Sequence, residues 1–344
     1  MIKKRVNINE AKKLFNLPLF ELAKLADQTR AEFGLKKVTY IIDRNINYSN
    51  VCTSNCKFCY FSVPVESKNP IRLSKEEIFK RVDEAVALKA TQIMLQGGLD
   101  PEFRLKDIED IFKHIKERYP KIVLHSLSAA EIDHFSKVER ISYKEVIERL
   151  KEAGLQGLPG AGAEILVDKI RESISPKKIS SATWIHIHRI AHYSGLMSTA
   201  TMVIGFGETI DDRLEHFKKV RDLQDETGGF IAFIPWIFKS KSNKMWENKI
   251  DYLKTVALSR IFFDNITNIG ASWLTVGKDV APIALLCGAN DMGSVMLEEN
   301  VVASAIEKIH RPQSTEELES LIRSAGFESS ERDAFYNFIS DKDL

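Results

Sequence analysis

Residues 74–98, which read SKEEIFKRVDEAVALKATQIMLQGG, contain the repeating unit that decides the fold. The amphipathic segment 74–88 begins with its serine and Glu77 at the spacing of a helix capping box. The β-rich run 92–95 follows and ends directly in Gln96-Gly97-Gly98. A helix, then a strand, then a polar loop is typical of a parallel sheet that carries its site at the carboxyl ends of the strands.

The same alternation recurs along the chain, because β-rich runs are separated by segments of helical periodicity. The predicted strands are 38–42, 92–95, 122–125, 155–158, 200–204, 230–234, 271–275 and 283–287. The predicted helices between them include 74–88, 106–118, 143–153, 183–193 and 211–226. This pattern predicts an α/β fold that closes into a (β/α)8 TIM-type barrel, and an open doubly wound sheet is the alternative.

The flanking segments predict helices outside this barrel. Residues 1–37 have a helical pattern, and residues 314–338 predict a closing helix or two. We therefore expect residues 1–344 to form a single domain. Its parts are an N-terminal helical extension at 1–37, the barrel at 38–310 and a C-terminal helical segment at 311–344.

Composition and charge exclude several classes of protein. The 344 residues are 44% apolar and 28% charged, which is typical of a globular protein. The 49 Lys and Arg residues nearly balance the 48 Asp and Glu residues, so no global field attracts nucleic acid or anionic lipid. No apolar run is long enough to cross a membrane, and the first residues have no apparent apolar region of a secretory signal, so we expect none. We expect a cytoplasmic protein with neither a nucleic-acid nor a membrane partner.

The cysteines predict a metal site. Three of the four, Cys52, Cys56 and Cys59, lie close together after the first predicted strand, and Cys287 stands alone as a small apolar packing residue. This is a poor disulfide framework but a good ligand cluster. A structural zinc ion needs four ligands, whereas three thiolates on an iron–sulfur cluster leave one iron open to a small molecule. A zinc-binding protein without catalytic activity remains the distant alternative.

Polar and glycine-rich residues follow the other predicted strands, so we expect them to meet at one rim of the barrel. The candidates are Gln96, Gly97, Gly98, His125, Ser126, Ser128, Glu164, Gly205, Glu208, Trp236, Asn290 and Asp291. Each also has a structural interpretation. Glycines and Asn-Asp pairs form turns, serines and first-turn carboxylates cap helices, and tryptophan is often simply packed in a core.

The spacing Cys52-x-x-x-Cys56-x-x-Cys59, with Phe58 and Tyr60 beside the last cysteine, resembles the signature of the radical S-adenosylmethionine (SAM) enzymes. The resemblance implies a 4Fe-4S cluster on the three cysteines, with SAM on the open iron and cleaved there to a 5'-deoxyadenosyl radical. It also implies SAM contacts from residues on the rim. These are Tyr60, Gln96, Gly97, Gly98, Ser128, Glu164, Gly205 and Glu208.

Longer strings resemble the futalosine-pathway and deazaflavin-pathway branch of this family. They are DRNINY at 43–48, LPGAGAEIL at 158–166, ASW at 271–273 and GANDMGS at 288–294. The likeness is greatest to the cyclases of menaquinone biosynthesis, which implies dehypoxanthine futalosine as substrate. At 205–208 the chain has GFGE where the branch usually shows a Gly-His-Val-Glu type string. The alternatives within the branch are an aminofutalosine synthase and a deazaflavin (F0) synthase component.

The implied reaction is hydrogen abstraction from ribose C4', followed by ring closure and loss of one electron and one proton. It implies a low-potential electron donor such as flavodoxin or ferredoxin. Expected substrate contacts are Ser126, Trp236, Trp273, Asn290 and Asp291. The candidate proton acceptors are His125, Glu131, Asp291 and Glu298.

Overall fold

The computed structural model describes residues 5–239, 245–306 and 312–339, and strands alternate with helices throughout. The strands in this part of the chain are β1 Lys37–Ile41, β2 Asp43–Asn47, β3 Gln92–Gln96, β4 Val123–His125, β5 Leu155–Leu158, β6 Met197–Ile204, β7 Phe230–Ile237, β8 Asn268–Ile269, β9 Asp291–Ser294 and β10 Glu328–Glu331. The helices are α1 Ile8–Phe15, α2 Leu19–Glu32, α3 Lys75–Ala87, α4 Leu105–Arg118, α5 Ala129–Glu139, α6 Tyr143–Glu152, α7 Asp168–Ile174, α8 Ser181–Tyr193, α9 Ile210–Thr227, α10 Met245–Phe262, α11 Trp273–Val276, α12 Ala281–Leu286, α13 Val301–Ile306 and α14 Thr315–Ser324.

The strands close into a parallel barrel. Strands β2 to β8 form a seven-stranded sheet in chain order, and every neighbouring pair is parallel. Strand β9 lies beside β8 through a parallel bridge between Gly270 and Asp291, and it pairs in parallel with β1. Because β1 runs directly into β2, these two act as one bent strand and complete the ring. The predicted α/β barrel is therefore confirmed.

Six of the eight predicted strands are observed, and the last two are wrong. Residues 271–275 lie in a loop and helix α11, while 283–287 lie in helix α12 and at its end. A short apolar run does not by itself separate a strand from a buried helix, and here Pro282 in the first turn favours the helix. The strands at these places in the barrel are β8 and β9. Trp273 is consequently on a helix, and Asp291 begins a strand instead of following one.

The helices cover the outside of the barrel. The capping box predicted at the start of α3 is present, since Ser74 and Glu77 each accept a hydrogen bond from the other's backbone N–H. The other four predicted helices named above correspond to α4, α6, α8 and α9, and α5, α7 and α10 are further helices between strands. No helix of the described residues is long and apolar enough to cross a membrane.

The terminal segments pack against this framework. Helices α1 and α2 contact α10, as the predicted N-terminal extension requires. At the other end, α14 is the predicted closing helix, but residues 328–331 form strand β10 beside β1 instead of a second helix. The predicted boundary between residues 310 and 311 lies outside the described residues.

Candidate active site

The loop after β2 places the three cysteines in the wall of one cavity. The loop is closed by the Cys52 N–H, which donates to the Val63 carbonyl at 3.0 Å. Within it, Asn55 has a left-handed backbone with φ of 49°. Cys52, Cys56 and Cys59 are all half-buried and free of disulfides. They line a cavity of about 350 Å³, here named the upper chamber, together with the predicted residues Gln96, Gly97, Gly98, Ser128 and Glu164.

These thiols fit an iron–sulfur cluster. The pKa of the Cys56 thiol is raised to about 11, chiefly by burial; Lys178 opposes the rise, and the nearby Cys52 and Cys59 contribute to it. The three sulfurs therefore act on one another electrostatically. In the described residues, no set of three or more His, Cys, Asp and Glu side chains is arranged to hold a single metal ion. Thiols on one wall of an open cavity suit a cluster of several irons bound from one side better than a four-ligand zinc ion.

Two glycines allow the loop after β3 to lie directly against the cysteine loop. A β-carbon at Gly98 would come within 2.1 Å of the Val51 carbonyl oxygen, and one at Gly97 within 2.6 Å of the Tyr48 ring. The Gly98 N–H also donates to the Ser49 carbonyl at 2.8 Å. Any larger residue would push the two loops apart. The predicted glycine-rich motif and the cysteines therefore form one structural unit.

A second cavity of about 350 Å³, here named the lower chamber, lies inside the barrel. Of the predicted residues it is lined by His125, Trp273 and Asp291, which do not line the upper chamber. The two chambers share part of their walls, including Asn45, Gln96, Glu164, Val203 and Trp236. Because these residues face both cavities, a molecule in the lower chamber lies next to whatever occupies the upper one.

Glu164 lies at the boundary between the chambers and is held there by two cations. Its carboxylate accepts a hydrogen bond from Lys178 at 2.8 Å and lies 3.5 Å from Arg171. All three side chains are largely shielded from solvent. The backbone of Glu164 has a φ of 38°, which is uncommon for a residue with a side chain. A fixed, buried carboxylate at this point is well placed to accept hydrogen bonds from a ligand.

Several predicted site residues line neither chamber. Tyr60 is 37% exposed on the outer side of the cysteine loop. Ser126 is fully buried, where its hydroxyl bonds the backbone of β3 through the Leu95 N–H at 2.9 Å. Asn290 accepts hydrogen bonds from Arg260 at 2.6 Å and from the Ile269 N–H at 2.9 Å. The last two side chains therefore hold the framework together.

The loop after β6 is also occupied with structural contacts. The Glu208 carboxylate accepts hydrogen bonds from the N–H groups of Gly205 and Phe206 and from Arg213 at 2.7 Å. Gly205 has a φ of 107°, which favours glycine. Neither Gly205 nor Glu208 lines a chamber. The structure thus places this pair behind the chamber walls.

The four candidate proton acceptors differ in environment. Burial lowers the pKa of His125 to about 3 and raises that of Glu131 to about 7. Asp291 forms a buried ion pair with Arg332, with contacts of 2.5 Å and 3.1 Å. Glu298 pairs with Arg44 and Arg81 and lines neither chamber. His125 and Asp291 face the lower chamber, and Glu131 faces the upper one.

Sequence reasoning missed the residues that reach the chambers from distant parts of the chain. Arg332 and Tyr336 come from the segment after β10 and line the lower chamber, as does Asp43 from β2. Lys178, from the loop before α8, lines the upper chamber. Asp43 begins the string DRNINY, which carries part of the resemblance to the futalosine-pathway and deazaflavin-pathway branch. No local signal marks the others, because lysine and arginine in a short polar segment usually lie on the surface and a single tyrosine forms no pattern.

Comparisons with known proteins agree with this geometry. Residues 46–220 match the radical SAM superfamily, and residues 227–343 match the CofH/MqnC C-terminal region. A cyclic dehypoxanthine futalosine synthase of Streptomyces coelicolor is 42% identical over 344 residues, covering 97% of this chain and 86% of that protein. A 5-amino-6-(D-ribitylamino)uracil–L-tyrosine 4-hydroxyphenyl transferase of Methanococcoides burtonii is 39% identical over 341 residues, covering 96% of this chain and 95% of that protein.

Among solved structures, methylornithine synthase (PylB) has a TM-score of 0.75 at 18% identity, with 95% of each chain covered, and so shares the fold. The resemblance that the cysteine motif carried is confirmed, and with it the cofactors that it implied. Since relatives at 39% and 42% identity cover nearly the whole chain, it belongs to the radical SAM superfamily, whose enzymes use a 4Fe-4S cluster and SAM.

Proposed function

We propose that this radical SAM enzyme converts dehypoxanthine futalosine to cyclic dehypoxanthine futalosine in the futalosine route to menaquinone. The observation that carries the proposal is the pair of adjoining chambers that share part of their walls, one lined by the three cysteines and the other inside the barrel. A reactive radical needs its target held close and kept away from other hydrogen donors. Trp236 and Trp273 in the wall of the lower chamber suit an aromatic arm of the substrate.

The chain supplies binding and shielding, while the cofactors carry the difficult chemistry. Cys52, Cys56 and Cys59 would hold a 4Fe-4S cluster, which with SAM supplies one electron and a 5'-deoxyadenosyl radical. Gly97 and Gly98 would let SAM approach the backbone of their loop. The net reaction takes SAM and dehypoxanthine futalosine to methionine, 5'-deoxyadenosine, the spirocyclic product and one proton. A low-potential donor such as flavodoxin or ferredoxin belongs to this proposal.

We favour Glu131 among the candidate acceptors for the released proton. It lines the upper chamber, and burial raises its pKa to about 7, where a carboxylate can take up a proton near neutral pH. His125 is a much weaker base because its pKa is lowered to about 3. Asp291 is engaged in its buried ion pair with Arg332, and Glu298 lies outside both chambers.

A second candidate function is the deazaflavin-pathway transfer, since a transferase of Methanococcoides burtonii is 39% identical to this chain. Anaerobic incubation of the cluster-loaded protein with SAM and a reductant separates the two. With dehypoxanthine futalosine, we expect 5'-deoxyadenosine and the spirocycle in equal amounts. Turnover only with 5-amino-6-(D-ribitylamino)uracil and tyrosine would contradict the cyclase proposal. Turnover only with a benzoate that bears an enolpyruvyl arm, to give a product that retains the adenosyl group, would indicate an aminofutalosine synthase.

The ligand assignment predicts that Cys52→Ala, Cys56→Ala and Cys59→Ala each abolish turnover. Each change removes one of three thiolates, and the remaining cysteine, Cys287, is buried at the end of α12 and lines neither chamber. Iron and sulfide per chain, measured after anaerobic reconstitution, should fall by more than half in each variant.

Cys287→Ala is the matched control, because it removes a thiol that is only 1% exposed and outside both chambers. Its iron content and turnover should equal those of the unchanged protein. Full turnover in any one of the three cluster variants would refute the ligand set, and zinc in place of iron would indicate a zinc-binding protein.

A further inference from the structure

The segment after β10 forms the floor of the lower chamber. Strand β10 pairs with β1, and the chain then turns so that Ala334 packs against Ile41 and Val123 at the closed end of the barrel. The Arg332 side chain reaches inward and forms its buried ion pair with Asp291 on β9. Residues far apart in sequence therefore meet at this floor.

Tyr336 has three unusual features at this floor. Its ring lines the lower chamber, and the Arg332 guanidinium carbon lies 3.8 Å from the ring centroid. Its backbone has a φ of 66°, which is an outlier for a bulky side chain and has an energetic cost. Its hydroxyl is buried and has no hydrogen-bond partner within the described residues. Buried hydroxyls are nearly always paired, so this one calls for a ligand group.

His125 is a second unpaired group beside the same arginine. Its Nδ1 is buried without a partner in the described chain and lies against Gly157, where a β-carbon would come within 2.2 Å, so the opposite edge of the ring is the one left for the chamber. Burial and the charge of Arg332 lower the pKa of His125 to about 3, so the ring is neutral near pH 7. A tyrosine hydroxyl and a neutral imidazole can each donate or accept a hydrogen bond.

The charges around the floor disfavour a carboxylate there. Asp43 and Asp291 both line the lower chamber, and the positively charged Arg332 lines it beside them. Arg332 already forms two hydrogen bonds to Asp291. Bringing a further anion next to two buried carboxylates would be costly. An uncharged group that both donates and accepts, such as a sugar hydroxyl, matches Tyr336 and His125.

We propose that Tyr336 is a specificity-determining residue that hydrogen bonds a sugar hydroxyl of the substrate at the floor of the lower chamber. The substrate's carboxylate then points away from the two buried acids of the floor. The identity of the sugar as a ribose rests on the proposed function. The ribityl chain of the transferase substrate presents the same hydroxyl chemistry, and the experiment separates these two sources.

The test compares the unchanged protein with Tyr336→Phe, which keeps the ring and its contact with Arg332 but removes the hydroxyl. Substrate affinity is measured by calorimetry on cluster-loaded protein with SAM and no reductant. The Kd for dehypoxanthine futalosine should rise roughly three- to tenfold, as expected for one lost hydrogen bond. For an analogue whose ribose 2' and 3' hydroxyls are replaced by hydrogen, the two proteins should differ by less than twofold. In turnover assays, Tyr336→Phe should raise KM by a larger factor than it lowers kcat.

Tyr193→Phe is the matched control, since this tyrosine is 68% exposed on α8 and bonds Glu226 at the surface. Its Kd values should equal those of the unchanged protein. Circular dichroism and iron content verify that both variants are folded and loaded.

An unchanged Kd in Tyr336→Phe, or an equal loss of affinity for substrate and analogue, would overturn the proposal by indicating a structural role. If the unchanged protein binds only 5-amino-6-(D-ribitylamino)uracil, the cyclase proposal fails, but the proposed contact of Tyr336 with a sugar hydroxyl does not. The same comparison of variants is then made with that compound and an analogue lacking its ribityl hydroxyls. If the protein binds neither compound, both proposals fail.

Discussion

At the scale of single residues, Glu131 links the stability of the protein to pH. Its carboxylate accepts hydrogen bonds from the Tyr48 hydroxyl at 2.9 Å and from the Gly97 N–H at 3.0 Å. Burial raises its pKa from 4.5 to about 7. The folded state therefore holds a proton that the unfolded state releases. This contribution is fully present below pH 4.5 and is lost as the pH rises through 7.

We expect Glu131→Gln to abolish that dependence, because glutamine can accept the same two hydrogen bonds but does not titrate. The difference in free energy of unfolding between the unchanged protein and the variant should change by about 3 kcal/mol between pH 4.5 and pH 8. Urea unfolding of both cluster-loaded proteins at each pH measures this difference in free energy. Glu117→Gln, an exposed change on α4, is the control and should follow the unchanged protein. Parallel pH profiles for Glu131→Gln and the unchanged protein would contradict this account.

At the scale of elements, the contact between the loops after β2 and β3 predicts the effect of Gly98→Ala. The added β-carbon would lie 2.1 Å from the Val51 carbonyl oxygen and 3.0 Å from the Cys52 β-carbon, so the cysteine loop must move. We expect iron per chain to fall below half, and overpacking to cost about 1 to 3 kcal/mol of stability. Gly207→Ala is the control. It strains a left-handed backbone but meets nothing within 4 Å, so it should keep its iron. Full iron in Gly98→Ala would show that the two loops are not coupled.

Two of the strands that sequence reasoning missed carry side chains that serve the interior of the barrel. Strands β3 to β7 were predicted because apolar residues dominate most of them. Strands β2 and β9, which read DRNIN and DMGS, carry polar residues that face the lower chamber, including Asp43 and Asp291. Because their polar residues serve the site, these strands lack the apolar pattern by which a strand is predicted and resemble loops in the sequence. Prediction from pattern is expected to fail at functional sites for this reason. The cysteine and glycine motifs were found because their signal is local. The floor of the lower chamber has no such local signal, because its ion pair joins Arg332 to Asp291, which are 41 residues apart in the sequence.

At the scale of the whole molecule, buried histidines predict a loss of stability in acid. Burial lowers the pKa of four of them well below the usual 6.5, namely His125, His188, His192 and His216. All four are neutral in the folded state and take up protons on unfolding below pH 6.5. Their contribution to stability is therefore complete above 6.5 and is lost as the pH falls toward 4. Glu131 and Asp43 oppose this trend, because burial raises their pKa values.

Near pH 5.5 the four histidines take up nearly four protons on unfolding and Glu131 releases about one. The raised pKa values of Asp43 and Glu331 reduce the balance further, which leaves about one to three protons and corresponds to roughly 1 to 4 kcal/mol of stability per pH unit. Urea unfolding of cluster-loaded protein between pH 7 and pH 5, followed by circular dichroism and separately by cluster absorbance, measures this slope. Because Glu131→Gln removes one opposing proton, the slope should steepen in that variant by about 1.4 kcal/mol per pH unit. A stability that stays level or rises on acidification would show that the buried histidines are not held neutral, and would remove the physical basis for a neutral His125 at the floor of the lower chamber.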